Sequence, residues 1–557
     1  MSLTRKEAGA TIHVSPWSLD RAALFKGNIA QFMLNSFANN TASADKPIYI
    51  DALDSTKVIT KRNITENLKK IAYILKTRYD IKEGDAVCLM LTNSIYLPIL
   101  HLGILAAGGV VSPANIMYLP NELHHQLYLS GARVIITQSE FIETARQGAA
   151  YTDPEAVNIE HILTLEDLWK EATNSTESLE PIVYPGDSNK DKYAYYCFSS
   201  GTSGKPKGVL TTHANIISNV TQQVISTGDN IYKPGNVFGA VLPMSHIYGL
   251  STFIYTLPVL GNSIVVFEKF DFQQVLEKIS EHGISVLHIV PPMAVLFAKS
   301  PLLAEYPLVR KYIKGIMSGA APLSKSLGSQ LIERLDCQIW QAYGLTETSP
   351  INHFPTYDLA GYDVESVGWL MPGLEGRLVD ENGQDVHGFN ERGELWLRGP
   401  NIMRGYIKNA EATAETFSAD GQWLRTGDVA IVNETGQWFI VDRFKELIKS
   451  KGHQVAPAEL ESILLSNPDV VDAAVTGIHM PEEGTELPRA FVVLRNATVD
   501  PLVVKRWFDS KVARHKKLWG GLVVIDVVPK SSAGKIQRRI LRDRKDDVVH
   551  GYRQSKL

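Results

Sequence analysis

Ser263-Ile-Val-Val-Phe267, Phe272-Gln-Gln-Val-Leu-Glu-Lys-Ile-Ser-Glu-His282 and Ser285-Val-Leu-His-Ile-Val290 follow one another with only short turns between them. The outer two are short, continuous apolar runs and read as strands buried on both faces. The middle one has helical spacing. Strand, helix, strand is the unit of a parallel sheet covered by helices. Val134-Ile-Ile-Thr137 repeats the strand signature, and Leu323 to Leu335 repeats the helical one. From about Val367 the pattern shifts to shorter strands and turns, such as Gly393-Glu-Leu-Trp-Leu-Arg-Gly399, which points to antiparallel or barrel-like structure. Near Asp442-Arg-Phe-Lys-Glu446 the chain turns charged, and a smaller unit follows. In it Glu459 to Leu465 and Pro501 to Val512 read as helices and Ala490 to Leu494 as a strand. A domain boundary is expected near Lys445.

The bulk numbers fit this outline. A chain of 557 residues is too long for one core, and 44% hydrophobic with 21% charged residues is ordinary globular composition. A formal net charge of −4 argues against a protein that coats nucleic acid. The cysteines, Cys88, Cys197 and Cys337, are far apart and form no metal or disulfide motif, which fits a reducing compartment. Leu97 to Ala114 is the most membrane-like stretch, but Pro98, His101 and the small residues around Gly108 favour a buried helix running into a strand. The N-terminus has no apolar segment of the secretory kind. Ser555-Lys556-Leu557 is the tripeptide read by the peroxisomal import receptor, so a peroxisomal matrix location is expected.

Ser199-Ser-Gly-Thr-Ser-Gly-Lys-Pro-Lys-Gly208 directly follows the apolar-aromatic run Tyr193 to Phe198. Its glycines and hydroxyls let backbone approach phosphate, and Lys205 and Lys207 add charge. It is not a Walker A loop, because Pro206 stands where the second glycine is required. Alone, the stretch is equally compatible with a flexible surface turn. Further segments follow in order: Leu242-Pro-Met-Ser-His-Ile-Tyr-Gly249, Ser318-Gly-Ala-Ala-Pro-Leu323, Gln341-Ala-Tyr-Gly-Leu-Thr-Glu-Thr348 and Trp423-Leu-Arg-Thr-Gly-Asp428. Asp442-Arg-Phe-Lys-Glu-Leu-Ile-Lys-Ser-Lys-Gly452 and Pro529-Lys-Ser-Ser-Ala-Gly-Lys-Ile-Gln-Arg-Arg539 complete the set.

Together these motifs resemble the acyl-adenylate-forming superfamily: acyl-CoA synthetases, peptide-synthetase adenylation domains and luciferases. The 4-coumarate–CoA ligase-like branch is the nearest in pattern, and the resemblance runs from about Leu97 to Ile536. It implies an α/β protein with a large N-terminal domain (1–442) of two βαβ sub-lobes and a β-barrel-like lobe. A hinge at 443–445 and a small, mobile α+β domain (446–557) would follow. It also implies an AMP-forming acid–CoA ligase using ATP, Mg²⁺ and coenzyme A.

Activating a carboxylate brings one anion to another, so the site must neutralise charge. The resemblance assigns Ser199, Ser200, Gly201, Thr202, Ser203, Gly204 and Lys207 to the phosphates of ATP, and Thr346 to the α-phosphate. Glu347, with Thr202, would hold Mg²⁺. Gly319, Ala320, Ala321 and Gly344 would leave room at the adenine, Tyr343 would stack on it, and Asp428 with Arg443 would meet the ribose or phosphate. Lys535 would bridge carboxylate and α-phosphate, a role suited to a compact charge on a flexible stem. Lys445 would be the pivot that brings the face of Lys449, Lys451 and Gly452 to the acyl-adenylate. His246 would gate the thiol's passage, and His246, Tyr248, Lys299, Gly319, Gly344, Pro350 and Ile351 would shape the acyl pocket. Small walls admit an aromatic ring with a short side chain or a medium aliphatic chain.

The basic residues Lys511, Arg514, Lys516, Lys517, Arg538, Arg539, Arg542, Arg544 and Lys545 could meet phosphates, but Asp543, Asp546 and Asp547 interrupt them, as on a solvated face. Two other activities share the adenylation step. A carrier-loading amino-acid-activating enzyme would use an Asp in Met244-Ser-His-Ile-Tyr248 and a following carrier domain, and neither is present. A luciferase-like oxygenase is the other, and a non-catalytic binding protein is disfavoured by Thr202, Lys207, Glu347, Asp428 and Lys535 standing together.

Overall fold

The structure is a computed structural model that describes residues 3–7, 9–40, 42–153, 155–199, 206–227, 232, 235–355, 362–450, 453–480, 485–531, 534–544 and 546–552. The helix Phe272–His282 starts where Asp271 accepts from the N–H of Gln274 and stops at Gly283, whose φ of +65° suits a residue without Cβ. It buries Val275, Leu276 and Ile279. The strands on either side, Ser263–Val266 and Val286–Ile289, do not pair with each other. Val237–Ala240 lies between them and pairs with both in parallel.

They belong to a seven-stranded sheet, ordered Gln338–Gln341, Gly315–Ser318, Val286–Ile289, Val237–Ala240, Ser263–Val266, Pro47–Asp51 and Val58–Thr60, and parallel except for its last pair. A second, six-stranded sheet runs Lys207–Thr212, Tyr193–Ser199, Val110–Pro113, Ala86–Met90, Val134–Thr137 and His161–Thr164. Its first pair is antiparallel and the others are parallel. The helix Leu97–Ala107 has every residue buried and ends at Gly108, φ +92°, before the strand Val110–Pro113. A helix apolar all round must be enclosed, and this one is. Among the described residues no helix is long and apolar enough to cross a membrane.

The third lobe is a six-stranded antiparallel sheet of Thr4–Glu7, Ala10–Val14, Glu375–Val379, Gly393–Arg398, Leu424–Val432 and Trp438–Arg443. Beyond it the strand Ile448–Ser450 pairs with His453–Val455. The chain then builds a four-stranded sheet, Val470–Met480, Thr485–Leu494, Leu522–Val524 and Val549–His550, with helices Pro457–Leu465 and Pro501–Asp509. Leu460, Leu464, Val475, Ala490, Val492, Val504, Phe508 and Leu522 form a core separate from that of the large domain. Emptying it at Phe508, which is fully buried, would cost about 3–5 kcal/mol. The small domain therefore holds together through its own packing.

The basic C-terminal residues are not simply solvated. Arg538 donates to both carboxylate oxygens of Glu461 at 2.8 Å, and Lys516 pairs with Glu459, Arg542 with Glu446 and Arg544 with Asp547. Lys545 and the tripeptide 555–557 lie outside the described residues.

Candidate active site

In an open parallel sheet, ligands bind beyond the carboxyl ends of the strands. Three strands of the seven-stranded sheet deliver the expected residues at those ends. Val237–Ala240 leads to His246 and Tyr248, Gly315–Ser318 to Gly319, Ala320 and Ala321, and Gln338–Gln341 to Tyr343 and Gly344. Ala320 has φ +70°, a left-handed conformation that costs a non-glycine residue about 1 kcal/mol or more. Such strain is common where backbone is shaped for a ligand.

Three small clusters gather around this edge. In the first, Tyr343 donates its hydroxyl to Asp428 Oδ2 at 2.5 Å, and Arg443 Nε lies 3.3 Å from Asp428 Oδ1. Asp428 and Arg443 are register partners on neighbouring antiparallel strands, which fixes their meeting. Asp428 is buried, and its charge is the main reason that the Arg443 guanidinium is held above its ordinary range, with Tyr343 and Glu347 contributing. Burial, then Asp428, pushes the Tyr343 phenol far up, so it stays a donor.

In the second, Ser199 and Lys207 face each other as register partners at the ends of two antiparallel strands, and residues 200–205 lie outside the described set. Glu347 Oε1 accepts from Ser199 Oγ at 3.1 Å and from the Tyr406 hydroxyl at 2.8 Å. The Lys207 ammonium sits over the Tyr406 ring, 5.0 Å from its centre. Thr346 opens the short 3₁₀ turn that carries Glu347. Among the described residues no group of three or more His, Cys, Asp and Glu side chains is arranged so that it could hold a metal ion. A single carboxylate beside the expected phosphate-binding stretch would suit Mg²⁺, which takes one or two protein carboxylates and fills its sphere with phosphate oxygens and water.

In the third, a Cβ on Gly319 would lie 3.0 Å from the Tyr248 ring, so these two residues share one wall. The Tyr248 hydroxyl meets His288 Nδ1 at 3.1 Å, and Tyr232 meets His288 Nε2 at 3.1 Å. Burial lowers the His288 imidazole to about 3, so it is neutral. Gly344 lies against Pro350 and Ile351, where a Cβ would strike the Pro350 carbonyl oxygen at 2.4 Å. Its smallness serves that close backbone approach.

The small domain enters the same site. The turn Ser531–Lys535 is closed by N–H bonds from Ser531 to the Lys535 carbonyl and from Gly534 to the Ser531 carbonyl, both 2.8 Å. A Cβ on Gly534 would lie 3.2 Å from Val290, so this turn presses against the large domain. Lys535 is half-buried, and burial, then the charge of Arg443, lowers its ammonium below the ordinary lysine range, while Asp428 and Glu347 oppose that shift. The same lysine helps burial to depress His246 to about 4. The backbone N–H of Tyr248 donates to His246 Nδ1 at 3.3 Å, so the neutral ring carries its proton on Nε2.

One expected residue lies elsewhere. Lys299 ends the helix Pro291–Lys299 and reaches across to the small domain, donating to the carbonyl of Leu465 at 2.8 Å and of Val470 at 3.3 Å. A desolvated ammonium takes the acceptors within reach, and here they are backbone oxygens of the other domain rather than an acyl pocket. Lys445 and Lys449 are exposed. Ser200, Gly201, Thr202, Ser203, Gly204, Lys451 and Gly452 lie outside the described residues. Tyr406 and His288 were missed by sequence reasoning. Their only local signals, a tyrosine after Arg404-Gly405 and a histidine inside an apolar strand, are common in cores and turns.

A family model described as AMP-binding enzyme matches residues 37–407, and one described as AMP-binding enzyme C-terminal domain matches residues 459–535. A 4-coumarate–CoA ligase of Pinus taeda is 34% identical over 520 residues, covering 90% of this chain and 92% of that one. 4-Coumarate–CoA ligase 1 of Solanum tuberosum is 33% identical over 514 residues, covering 91% and 92%. ATP-bound MatB from Rhodopseudomonas palustris has the same fold with a TM-score of 0.80 at 26% identity, covering 93% of this chain and 98% of that one.

Proposed function

The chain belongs to the AMP-binding enzyme family, within its acid–CoA ligases, and from that premise we propose the residues that perform the reaction and the acid that it takes. The enzyme is an AMP-forming ligase: a carboxylate and ATP give acyl-adenylate and pyrophosphate, and coenzyme A then takes the acyl group and releases AMP. One observation carries the proposed assignment of roles. Lys535, on the small domain, is half-buried in the site, where the charges of Arg443, Asp428 and Glu347 act on its ammonium and its own charge acts on His246.

In this reading Asp428 accepts from the ribose hydroxyls and Tyr343 borders the adenine beside Gly319, Ala320 and Ala321. Lys207 and Thr346 meet the phosphates, and Arg443, paired with Asp428, adds positive charge beside it. Mg²⁺, when bound, would neutralise phosphate charge, and Glu347, steadied by Ser199 and Tyr406, would hold it with Thr202. Lys535 brings its proton-rich ammonium between the carboxylate oxygen and the α-phosphate, which lowers their repulsion as the new bond forms. His246, neutral, can line the thiol's path without binding the carboxylate as a cation would.

The acid itself is proposed to be an aryl or arylalkenoic acid with an uncharged distal end. The support is the Tyr248 wall over Gly319, the neutral His288 behind it, and Lys299 being engaged elsewhere. The test is pyrophosphate release with and without coenzyme A across aryl, arylalkenoic, medium-chain and dicarboxylic acids. Highest kcat/KM for a dicarboxylic acid would overturn the pocket reading, and a medium-chain optimum would reassign it to an aliphatic chain. Thioester formation separates this enzyme from carrier loading, and the absence of light or oxygen uptake separates it from an oxygenase. We further propose that Ser555-Lys556-Leu557 addresses the enzyme to peroxisomes, on the strength of the tripeptide alone. Its removal should move a fluorescent fusion from punctate to diffuse without changing turnover. An unchanged distribution would set the address aside.

A further inference from the structure

The seam between the domains is lined by Val295, Lys299 and Leu327 from the large domain and by Leu465 and Ser466 from the small one. Lys299 is half-buried there. Its ammonium bonds the carbonyl of Leu465, the last residue of the helix Pro457–Leu465, and the carbonyl of Val470 at the start of the next strand. The last carbonyls of a helix lack partners inside it and carry the negative end of its dipole, so a cation is the fitting cap. Lys299 supplies that cap from another domain.

Its own position is held as well. Arg334 donates to the carbonyls of Phe297 at 3.3 Å and Ser300 at 2.5 Å, pinning the end of the helix that carries Lys299. Of the charged groups of the small domain that act on Lys299, Arg495 disfavours its charge and Asp472 favours it. Asp472 is itself paired with Lys530 at 2.6 Å, just before the Lys535 turn. Another polar bond joins the domains, Gln454 Nε2 to Glu381 Oε2 at 3.0 Å, but both side chains are exposed and the bond competes with water.

We propose that Lys299 is a positioning residue for Lys535: by capping the Leu465–Val470 carbonyls across the seam, it holds the small domain in the orientation that places Lys535 in the site. The value of that orientation for adenylation rests on the proposed role of Lys535. The latch itself is a statement about geometry and can fail independently.

The test uses the full chain with Glu381→Cys and Gln454→Cys carrying spin labels, whose separation reports the seam. Cys88, Cys197 and Cys337 are buried and stay unlabelled. Pulsed electron–electron resonance should show a short separation as the main population. Lys299→Met, which keeps the apolar stem, should lower the ratio of short to long separations about tenfold, as expected for loss of a charged hydrogen bond. Lys299→Arg should restore it to within about twofold, because a guanidinium can reach the same carbonyls. Lys299→Gln provides a second neutral variant if Lys299→Met does not fold. ATP–pyrophosphate exchange should fall in the neutral variants, while acyl transfer from supplied acyl-adenylate to coenzyme A should not. A parent-like distance distribution in a neutral variant that melts like the parent overturns the latch and leaves acid activation untouched. Failure of the unmodified chain to make AMP and pyrophosphate would instead overturn the ligase reading.

Discussion

Asp428 and Lys535 bring opposite charges to the same site by different means. Asp428 is buried between antiparallel strands, paired in register with Arg443 and bonded by Tyr343, so this side of the site is built before any substrate arrives. Lys535 belongs to a domain with its own core, and it reaches the site across the seam that Gly534 and Lys299 help to close. Preorganised dipoles are best made rigid, because they cost nothing to reorient during the reaction. A group needed in one half-reaction and in the way of the other is best carried on a part that can leave.

The largest expected effect breaks the half that the small domain supplies. Lys535→Ala should raise the adenylation barrier by about 2–4 kcal/mol, up to roughly a thousandfold in rate. Transfer of a supplied acyl-adenylate to coenzyme A should be nearly unchanged. Equal losses in both half-reactions would make Lys535 a general structural residue. The same lysine sets a pH limb. Its ammonium is the active form and its proton is lost more easily than an ordinary lysine's, so ATP–pyrophosphate exchange should decline on the alkaline side below the usual lysine range. Thioester formation from supplied acyl-adenylate should lack that limb.

The next effect addresses the connection. Lys445 is exposed between the strands Trp438–Arg443 and Ile448–Ser450, which belong to different sheets. If the small domain turns about Lys445, Lys445→Pro should fix φ and reduce thioester formation on the order of a hundredfold while sparing adenylation. Lys445→Ala should be mild. Stopped-flow measurement of the two half-reactions decides it: matching Pro and Ala variants would place the pivot elsewhere.

These expectations rest unequally on sequence and structure, for physical reasons. The segments around Ser263, Phe272 and Ser285 were legible because strands buried on both faces give unbroken apolar runs and a half-buried helix gives 3.6-residue spacing. Thr4–Glu7 was not, since Thr-Arg-Lys-Glu is a polar edge strand whose place depends on a hairpin with Ala10–Val14, which in turn pairs with Glu375–Val379. Asp428 and Arg443 could each be named from their motifs, but their cross-strand register is a long-range fact. Tyr406 was missed because Glu347, its partner, lies far away in sequence. Lys299 was misplaced because a long side chain's destination depends on which domain comes to meet it.

The smallest effect probes the rigid half. Tyr406→Phe removes one hydroxyl bond to Glu347 and should cost about 1 kcal/mol, roughly fivefold in the Mg²⁺ concentration for half-maximal adenylation. Saturating Mg²⁺ should recover most of the rate. A loss that Mg²⁺ cannot recover would mean that Tyr406 acts on something other than the metal carboxylate.

The most direct measurement of the whole account follows oxygen. An acid labelled with ¹⁸O in its carboxylate, incubated with ATP, Mg²⁺ and coenzyme A, should leave one labelled oxygen on the phosphate of AMP, because the carboxylate attacks the α-phosphate and the thiol later expels AMP. Label appearing instead in inorganic phosphate, with ADP as the nucleotide product, would contradict it.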